Sequence, residues 1–108
     1  AALQARLDVL LAAGRRWPAA LHLLDLDGFK AINDVHGHAT GDALLVALSR
    51  GLTEALGERA DVFRLGGDEY AILANHGDDL GPDILAAVAR VRVLDAAGMA
   101  LGLRASIG

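Results

Sequence analysis

The chain has 108 residues, of which 54% are hydrophobic, and it carries a formal net charge of −4 and no cysteine. This length suits one small domain with a single core, and we expect neither a signal peptide nor a run of apolar residues long enough to span a membrane. The lack of cysteine excludes disulfides and thiolate metal sites and fits a reducing compartment, while the acidic balance argues against a nucleic-acid partner, which would favour a basic face.

The first elements in chain order are predicted to be a helix and a strand. Leucines recur at helical spacing near the start, and Gly14 is a suitable stop, so we expect a helix that ends at about Ala13. An apolar run over residues 20–27, which contains His22, ends in Asp25 and Asp27. Such a run predicts a central strand covered on both faces.

Two helices are predicted next. Phe29, Ile32 and Val35 fall on one side of a short helix, away from its polar residues. Thr40 is a suitable N-cap for a longer helix that ends at Gly57. Its apolar stripe consists of Leu45, Leu48, Leu52 and Leu56.

The segment Arg64–Tyr70 predicts a β-hairpin. Its centre reads Gly66, Gly67, Asp68, Glu69, and apolar residues flank this centre on both sides. Paired glycines allow a tight turn or the close approach of a ligand to the backbone. Taken alone, this segment is also compatible with an ordinary hairpin turn.

The last elements are predicted to be a helix and a strand. Pro82 suits the first turn of a helix that buries Leu85, Val88 and Val91. Apolar residues alternate from Met99 to Ile107, which predicts one strand with one buried face. The order of elements indicates an α+β fold, with helices packed on an antiparallel central sheet.

The acidic residues of the first strand and of the hairpin are expected to meet. Asp25 and Asp27 begin on the same side of the strand, because residues i and i+2 share a face. If the hairpin pairs beside this strand, Asp68 and Glu69 come close to Asp25. Clustered carboxylates repel each other unless a hard divalent cation binds their oxygens, so the pattern predicts a metal site.

Three ordered motifs resemble the GGDEF domain, the diguanylate cyclase family. Leu24–Asp34 is similar to the family's LDLDxFKxIND segment, Gly37–Asp42 to its GHxxGD segment, and the signature is present as GGDEY. The resemblance covers roughly residues 3 to 108. It implies the palm-like fold of nucleotidyl cyclases, and we expect residues 1–108 to be a single domain that lacks family segments at both ends.

The resemblance also implies an activity. Diguanylate cyclases join two GTP molecules into cyclic di-GMP and release pyrophosphate, and each attack of a 3′-hydroxyl on an α-phosphorus uses Mg²⁺ or Mn²⁺. The implied metal ligands are the carboxylates of Asp25 and Asp68 and the backbone carbonyl of Leu26. Asp68 is the implied proton acceptor, and Glu69 supports the metal or binds an amide of the loop. Because one domain holds one GTP, catalysis would require a homodimer.

The guanine base would be read by Asn33 and Asp42. A carboxamide both accepts from and donates to guanine, and a carboxylate accepts from its N1–H and N2–H₂ edge, which adenine lacks. Each residue also has a structural alternative. Asn33 suits a helix C-terminus, and Asp42 suits a first helical turn, where the helix dipole favours it.

Other site residues are implied by the same motifs. Lys30 would approach the phosphates and stabilise developing charge, and Gly66 and Gly67 would let the turn contact a phosphate. His38 either contacts the nucleotide or supports its loop. His36 has no role in the family, and we expect it to be a solvated surface residue.

Some positions depart from the family pattern. Tyr70 replaces the usual Phe, so its hydroxyl needs a partner or access to solvent. The RxxD product-inhibition motif is absent before the signature, where the chain reads Gly57–Asp61. Arg92–Asp95 has the RxxD letters on the wrong side of the hairpin, and we interpret it as a coincidence on a helix.

Two classes of function follow from these residues. The first is a working cyclase in the cytoplasm, without membrane contact from this segment. The second is a GGDEF module that binds GTP without cyclising it and regulates an attached EAL-type phosphodiesterase domain. The presence of the expected acidic and amide residues favours the first.

Overall fold

The computed structural model describes residue 8, residues 20–75 and residues 79–107. In chain order the elements are β1 (Ala20–Leu26), α1 (Phe29–His36), α2 (His38–Leu56), a 3₁₀ turn (Gly57–Arg59), β2 (Ala60–Gly66), β3 (Glu69–Ala74), α3 (Gly81–Arg90), β4 (Val93–Leu94), β5 (Ala100–Leu101) and β6 (Ala105–Ile107). The helix predicted to end at Ala13 lies outside the described residues, apart from Asp8. None of the described helices is long and apolar enough to cross a membrane.

The main sheet has four antiparallel strands in the order β2-β3-β1-β6. The predicted hairpin forms its outer pair, β2 and β3. β1 lies between β3 and β6, so that Asp25 is opposite Glu69 on one side and Ser106 on the other. The predicted α+β architecture with an antiparallel sheet is confirmed, and its register carries the hairpin turn to the end of β1.

The core lies between this sheet and the helices. The predicted leucine stripe of α2 is buried, and it packs with Leu24 and Leu26 of β1 and with Ile72 of β3. Each fully buried leucine contributes about 1.5–3 kcal/mol relative to an exposed one. This packing fixes the long helix α2 over the sheet and therefore fixes the start of α2 near the hairpin turn.

The prediction that β1 is covered on both faces was wrong. Leu21 and Leu23 are 48% and 46% exposed, whereas Leu24 and Leu26 are buried. The side chains of a strand alternate between its faces, and the buried core lies on the side of Leu24 and Leu26. The apolar run of β1 therefore does not reflect two buried faces.

The junction of α1 and α2 differs from the sequence prediction. Thr40 does not cap α2, because α2 begins at His38, and Gly37 (φ 90°) is the only residue between the helices. The positive φ of Gly37 ends one helix and starts the next without a loop. Val35 is 75% exposed rather than packed, so the contacts of α1 with the core are made by Phe29 and Ile32.

The C-terminal elements were predicted in part. Pro82 lies in the first turn of α3, as expected, and Val88 and Val91 are buried. Leu85 is 47% exposed, and the inward position belongs to Ile84, which is fully buried. The exact face of this short helix was therefore misjudged by one residue, or about 100° of rotation.

The single strand predicted from Met99 to Ile107 is two strands. β5 pairs with β4 in a separate hairpin, while β6 joins the main sheet. In the segment between β5 and β6, the carbonyl oxygen of Arg104 accepts a hydrogen bond from the backbone N–H of Asp27 (2.8 Å). Met99 is 64% exposed.

The RxxD letters at Arg92–Asp95 do not lie on a helix, since α3 ends at Arg90.

Candidate functional site

The turn between β2 and β3 lies against the end of β1. Gly67 has φ 41°, a conformation that favours glycine, and its carbonyl oxygen accepts hydrogen bonds from the Arg64 guanidinium at 3.1 and 3.4 Å. The backbone N–H of Leu26 donates to the carbonyl oxygen of Asp68 (2.9 Å). These bonds fix the turn relative to the last residues of β1.

Three carboxylates meet at this turn. Ligand oxygens of Asp25, Asp68 and Glu69 all lie within 4.8 Å of one another. The predicted meeting of strand and hairpin is therefore observed, and a cluster of oxygen donors with this spacing suits a hard divalent cation. Asp27 is not part of the cluster, because β1 ends at Leu26, and its carboxylate instead accepts a hydrogen bond from Ser106 Oγ (3.1 Å).

A cavity of about 330 Å³ opens beside the turn, between it and the junction of α1 and α2. This volume lies at the lower end of the range for small-molecule sites. Its lining combines apolar, amide, acidic and basic side chains: Phe29, Lys30, Asn33, His38, Asp42, Leu45, Arg64, Gly67 and Asp68. The structure thus brings six of the predicted site residues to one cavity, from three separate parts of the chain.

Asn33 and Asp42 are placed by the two helices that meet at Gly37. The carbonyl oxygen of Asn33 accepts from the backbone N–H of Gly37 (2.9 Å), so Asn33 lies in the last turn of α1. Its side chain packs against Gly41, where an added Cβ would collide with the Asn33 Oδ1 atom. The absence of a side chain at Gly41 therefore leaves room for the carboxamide.

The remaining predicted residues lie outside this cavity. Gly66 and Leu26 are not in its lining, and the side chain of Leu26 is buried. Asp25 and Glu69 line a second cavity of about 390 Å³, with Leu23, Leu65 and other residues of the sheet. Among the predicted site residues, Asp68 belongs to both the carboxylate cluster and the first cavity, so it connects the two.

Three residues that also line the first cavity had no predicted role in the site: Arg64, Phe29 and Leu45. Arg64 is exposed and holds the turn through the carbonyl oxygen of Gly67. A signal was present, because a basic residue two positions before the first glycine of a hairpin turn is within reach of that turn. Phe29 and Leu45 resembled ordinary core residues, and only the fold shows that they also line the cavity.

The hydroxyl of Tyr70 has the partner that its burial requires. The side chain is 1% exposed, and its oxygen lies 3.0 Å from Ser49 Oγ and donates to the carbonyl oxygen of Leu45 (3.3 Å). The replacement of Phe by Tyr at this position is therefore accommodated by the α2 helix that covers it.

His36 is not the solvated residue that was expected. Its side chain is 24% exposed, and Nδ1 lies 3.1 Å from Asp95 Oδ2, whose side chain is 9% exposed. The backbone N–H of Met99 donates to the Asp95 carboxylate and is the main reason that the pKa of this group is lowered, with further contributions from Ala97 and His36. The sequence could not reveal this pair, because its members are 59 positions apart.

Comparisons with known proteins agree with the fold and the motifs. The family model described as "Diguanylate cyclase, GGDEF domain" matches residues 1–108. The chain is 42% identical over 90 residues to an uncharacterised 19.3 kDa protein of Streptomyces ambofaciens, which covers 83% of this chain and 49% of that protein. It is 50% identical over 58 residues to the diguanylate cyclase DgcN of Escherichia coli, which covers 54% of this chain and 14% of DgcN. The chain therefore spans less than half the length of these relatives.

A solved structure shows the same relationship. The fold matches a sensory box/GGDEF family protein from Caulobacter crescentus with a TM-score of 0.73 and 34% sequence identity, over 96% of this chain and 69% of that one. The family match covers all residues of the chain, and the described fold and the site motifs agree with it. The chain belongs to the GGDEF domain family of diguanylate cyclases.

Proposed function

We propose that this chain is a diguanylate cyclase domain that condenses two molecules of GTP into cyclic di-GMP and releases pyrophosphate. One observation carries the proposal. Asp68 belongs both to the cluster of three carboxylates and to the cavity that contains Asn33 and Asp42. A nucleotide whose base occupied that cavity would therefore have its phosphates near the carboxylates.

Guanine is the base that the cavity suits. The carboxylate of Asp42 can accept from N1–H and N2–H₂ of guanine, and the carboxamide of Asn33 offers both a donor and an acceptor. Phe29 and Leu45 add apolar surface for the ring. Adenine has neither N1–H nor a 2-amino group and would leave the Asp42 carboxylate without these two donors, which is a strong basis for discrimination.

The phosphates would lie between the turn and α1. Lys30 is exposed at the mouth of the cavity, where its ammonium group can stabilise negative charge, and Gly67 leaves the turn open to a close approach. We assign Asp25, Asp68 and the Leu26 carbonyl as ligands of Mg²⁺ or Mn²⁺, with Glu69 in support. Such a cation would lower the pKa of the attacking 3′-hydroxyl and neutralise the phosphate.

The chain's own groups complete the proposal. Asp68 would accept the proton of the 3′-hydroxyl, and Gly66 and Gly67 would give the turn its open backbone. Since each cavity holds one GTP, two copies of the domain must face each other for two attacks to occur. GTP as the substrate is consistent with our expectation that the protein acts in the cytoplasm.

The test is incubation with GTP and Mg²⁺, followed by chromatographic detection of cyclic di-GMP and pyrophosphate. Asp68→Ala should abolish the product, because it removes a member of both the cluster and the cavity. Glu58→Gln is the matched control, since this exposed carboxylate lies in the 3₁₀ turn before β2, at the opposite end of that strand from the hairpin turn. It should leave the rate unchanged.

The same experiment separates the alternatives. If a dimeric protein binds GTP but does not consume it, the cyclase proposal is contradicted. It would favour the second class, a silent module that regulates an attached EAL-type domain. Product formation that persists in the Asp68→Ala variant would contradict the role assigned to this residue.

A further inference from the structure

The His36–Asp95 pair connects the end of α1, the helix that carries Asn33, to a distant part of the chain. His36 is the last residue of α1, and Asp95 lies in the turn of the β4–β5 hairpin. Their side chains meet at 3.1 Å and are largely shielded from solvent. None of the motifs used above gives either residue a role.

The hairpin offers His36 a rigid partner. Asp95 Oδ1 accepts from the backbone N–H groups of Ala97 (2.9 Å) and Met99 (2.8 Å), so the carboxylate is held by its own turn. The backbone N–H of Asp95 also donates to the carbonyl oxygen of Met99 (2.9 Å). Oδ2 faces His36. At its other end the hairpin is held by Val93 and Leu101, which pair with each other and pack against the core.

His36 lies where the angle between α1 and α2 is set. It is followed directly by Gly37, the only residue between these helices, and it lies three positions after Asn33. Residues i and i+3 of a helix are neighbours on its surface. Movement of the end of α1 would therefore move the Asn33 carboxamide relative to Asp42 on α2.

We propose that His36 is a positioning residue for guanine recognition, which acts by fastening the end of α1 to the β4–β5 hairpin through Asp95. This inference rests on the proposed function for the identity of the ligand. His36 does not line the cavity, so it acts through Asn33 rather than by touching the base.

The first test measures the equilibrium affinity for GTP and for inosine triphosphate, which lacks the 2-amino group that Asp42 would bind. His36→Ala should weaken GTP binding by about tenfold, because a displaced Asn33 carboxamide would lose or weaken its hydrogen bonds to the base. It should also reduce the preference for GTP over inosine triphosphate. His36→Asn should restore both, because the Asn amide nitrogen can take the place of Nδ1 as a donor to Asp95.

Asp83→Asn is the matched control. It removes the ion pair between two other distant residues, Asp83 and Arg59 (2.9 Å to Nη1), which are 48% and 42% exposed and do not line the cavity. This variant should leave the preference for guanine unchanged. His36→Phe keeps a ring without a donor and gives a second test if the alanine variant does not fold.

A second readout does not need nucleotide. In the free protein, His36→Ala should shift the side-chain amide resonances of Asn33 in a ¹H–¹⁵N NMR spectrum, and Asp83→Asn should not. Unchanged Asn33 resonances and an unchanged preference for guanine would overturn the inference. A wild-type protein that does not discriminate between the two nucleotides would contradict the proposed function, while the Asn33 resonances would still decide the role of His36.

Discussion

At the scale of single residues, the site depends on a missing side chain as much as on those present. Gly41 lies inside α2, where glycine costs about 1 kcal/mol relative to alanine. A Cβ at this position would collide with Asn33 Oδ1 and lie 3.3 Å from the ring of Phe29. Helix stability and the placement of Asn33 therefore favour different residues at position 41.

Gly41→Ala should separate these two effects. We expect GTP affinity to fall by about tenfold or more, because Asn33 must leave its place beside Asp42. Gly51→Ala is the control in the same helix, where the nearest atom to an added Cβ is the carbonyl oxygen of Ala87 at 4.0 Å. It should stabilise the protein by up to about 1 kcal/mol and leave affinity unchanged. Calorimetric titration measures the GTP affinity of the two variants, and urea unfolding measures their stability. Equal affinities of the two variants would contradict the role of Gly41.

The Tyr70 hydroxyl allows a second prediction at this scale. Tyr70→Phe should lower the free energy of unfolding by about 0.5–1.5 kcal/mol, because the bonds to Ser49 Oγ and to the Leu45 carbonyl oxygen are lost. Ser49→Ala should lower the free energy of unfolding by less in the Tyr70→Phe background than in the wild type. Fully additive costs in urea unfolding would show that the two hydroxyls do not interact.

At the scale of elements, the sequence predicts what is locally encoded. The leucine stripe of α2 and the hairpin of β2 and β3 follow from periodicity and from the paired glycines, and both were predicted correctly. The carboxylate cluster also followed, because the acidic residues mark the ends of paired strands. These features needed only the local sequence and one assumption about which strands pair.

The remaining features depend on tertiary contacts. Nothing local distinguishes Ile84 from Leu85, and only the packing of α3 on the core selects Ile84. The strand predicted after Met99 is divided between two sheets, because β5 pairs with β4 whereas β6 pairs with β1, which lies far earlier in the chain. The His36–Asp95 pair was missed for the same reason, since a pattern within one segment contains no information about a partner in another.

The turn of the β4–β5 hairpin makes a prediction about pH. Backbone donation from Met99 lowers the pKa of Asp95 in the folded state below its value in the unfolded chain. This group therefore contributes stability above about pH 3.9, and the contribution is lost as the pH falls through the folded pKa. The Asp95→Asn variant has no carboxyl group at this position and therefore lacks this pH-dependent contribution. The wild type should exceed the variant in free energy of unfolding at pH 5.5, and the difference should narrow towards pH 3; a constant difference in urea unfolding would contradict the assignment.

At the scale of the whole molecule, the position of the site has a consequence for assembly. The cavity and the carboxylate cluster lie at one end of the sheet, at the turn between β2 and β3, and both are open to solvent. Among the described residues, one copy offers one cavity lined by both Asn33 and Asp42. Two copies that face each other would bring two nucleotides together, which is the arrangement that a reaction between two GTP molecules needs.

Activity should therefore depend on the association of two intact copies. Below the dissociation constant of the dimer, activity per mole of protein should rise in proportion to protein concentration, since the active species forms by mass action. At total protein concentrations above this dissociation constant, a tenfold excess of Asp68→Ala protein should suppress the wild type by about fivefold or more, because most wild-type copies would then be paired with an inactive partner. Glu58→Gln protein in the same excess should not suppress it. Activity per mole that stays constant over a hundredfold dilution, together with no suppression by the Asp68→Ala protein, would mean that one copy is sufficient and would contradict the facing arrangement.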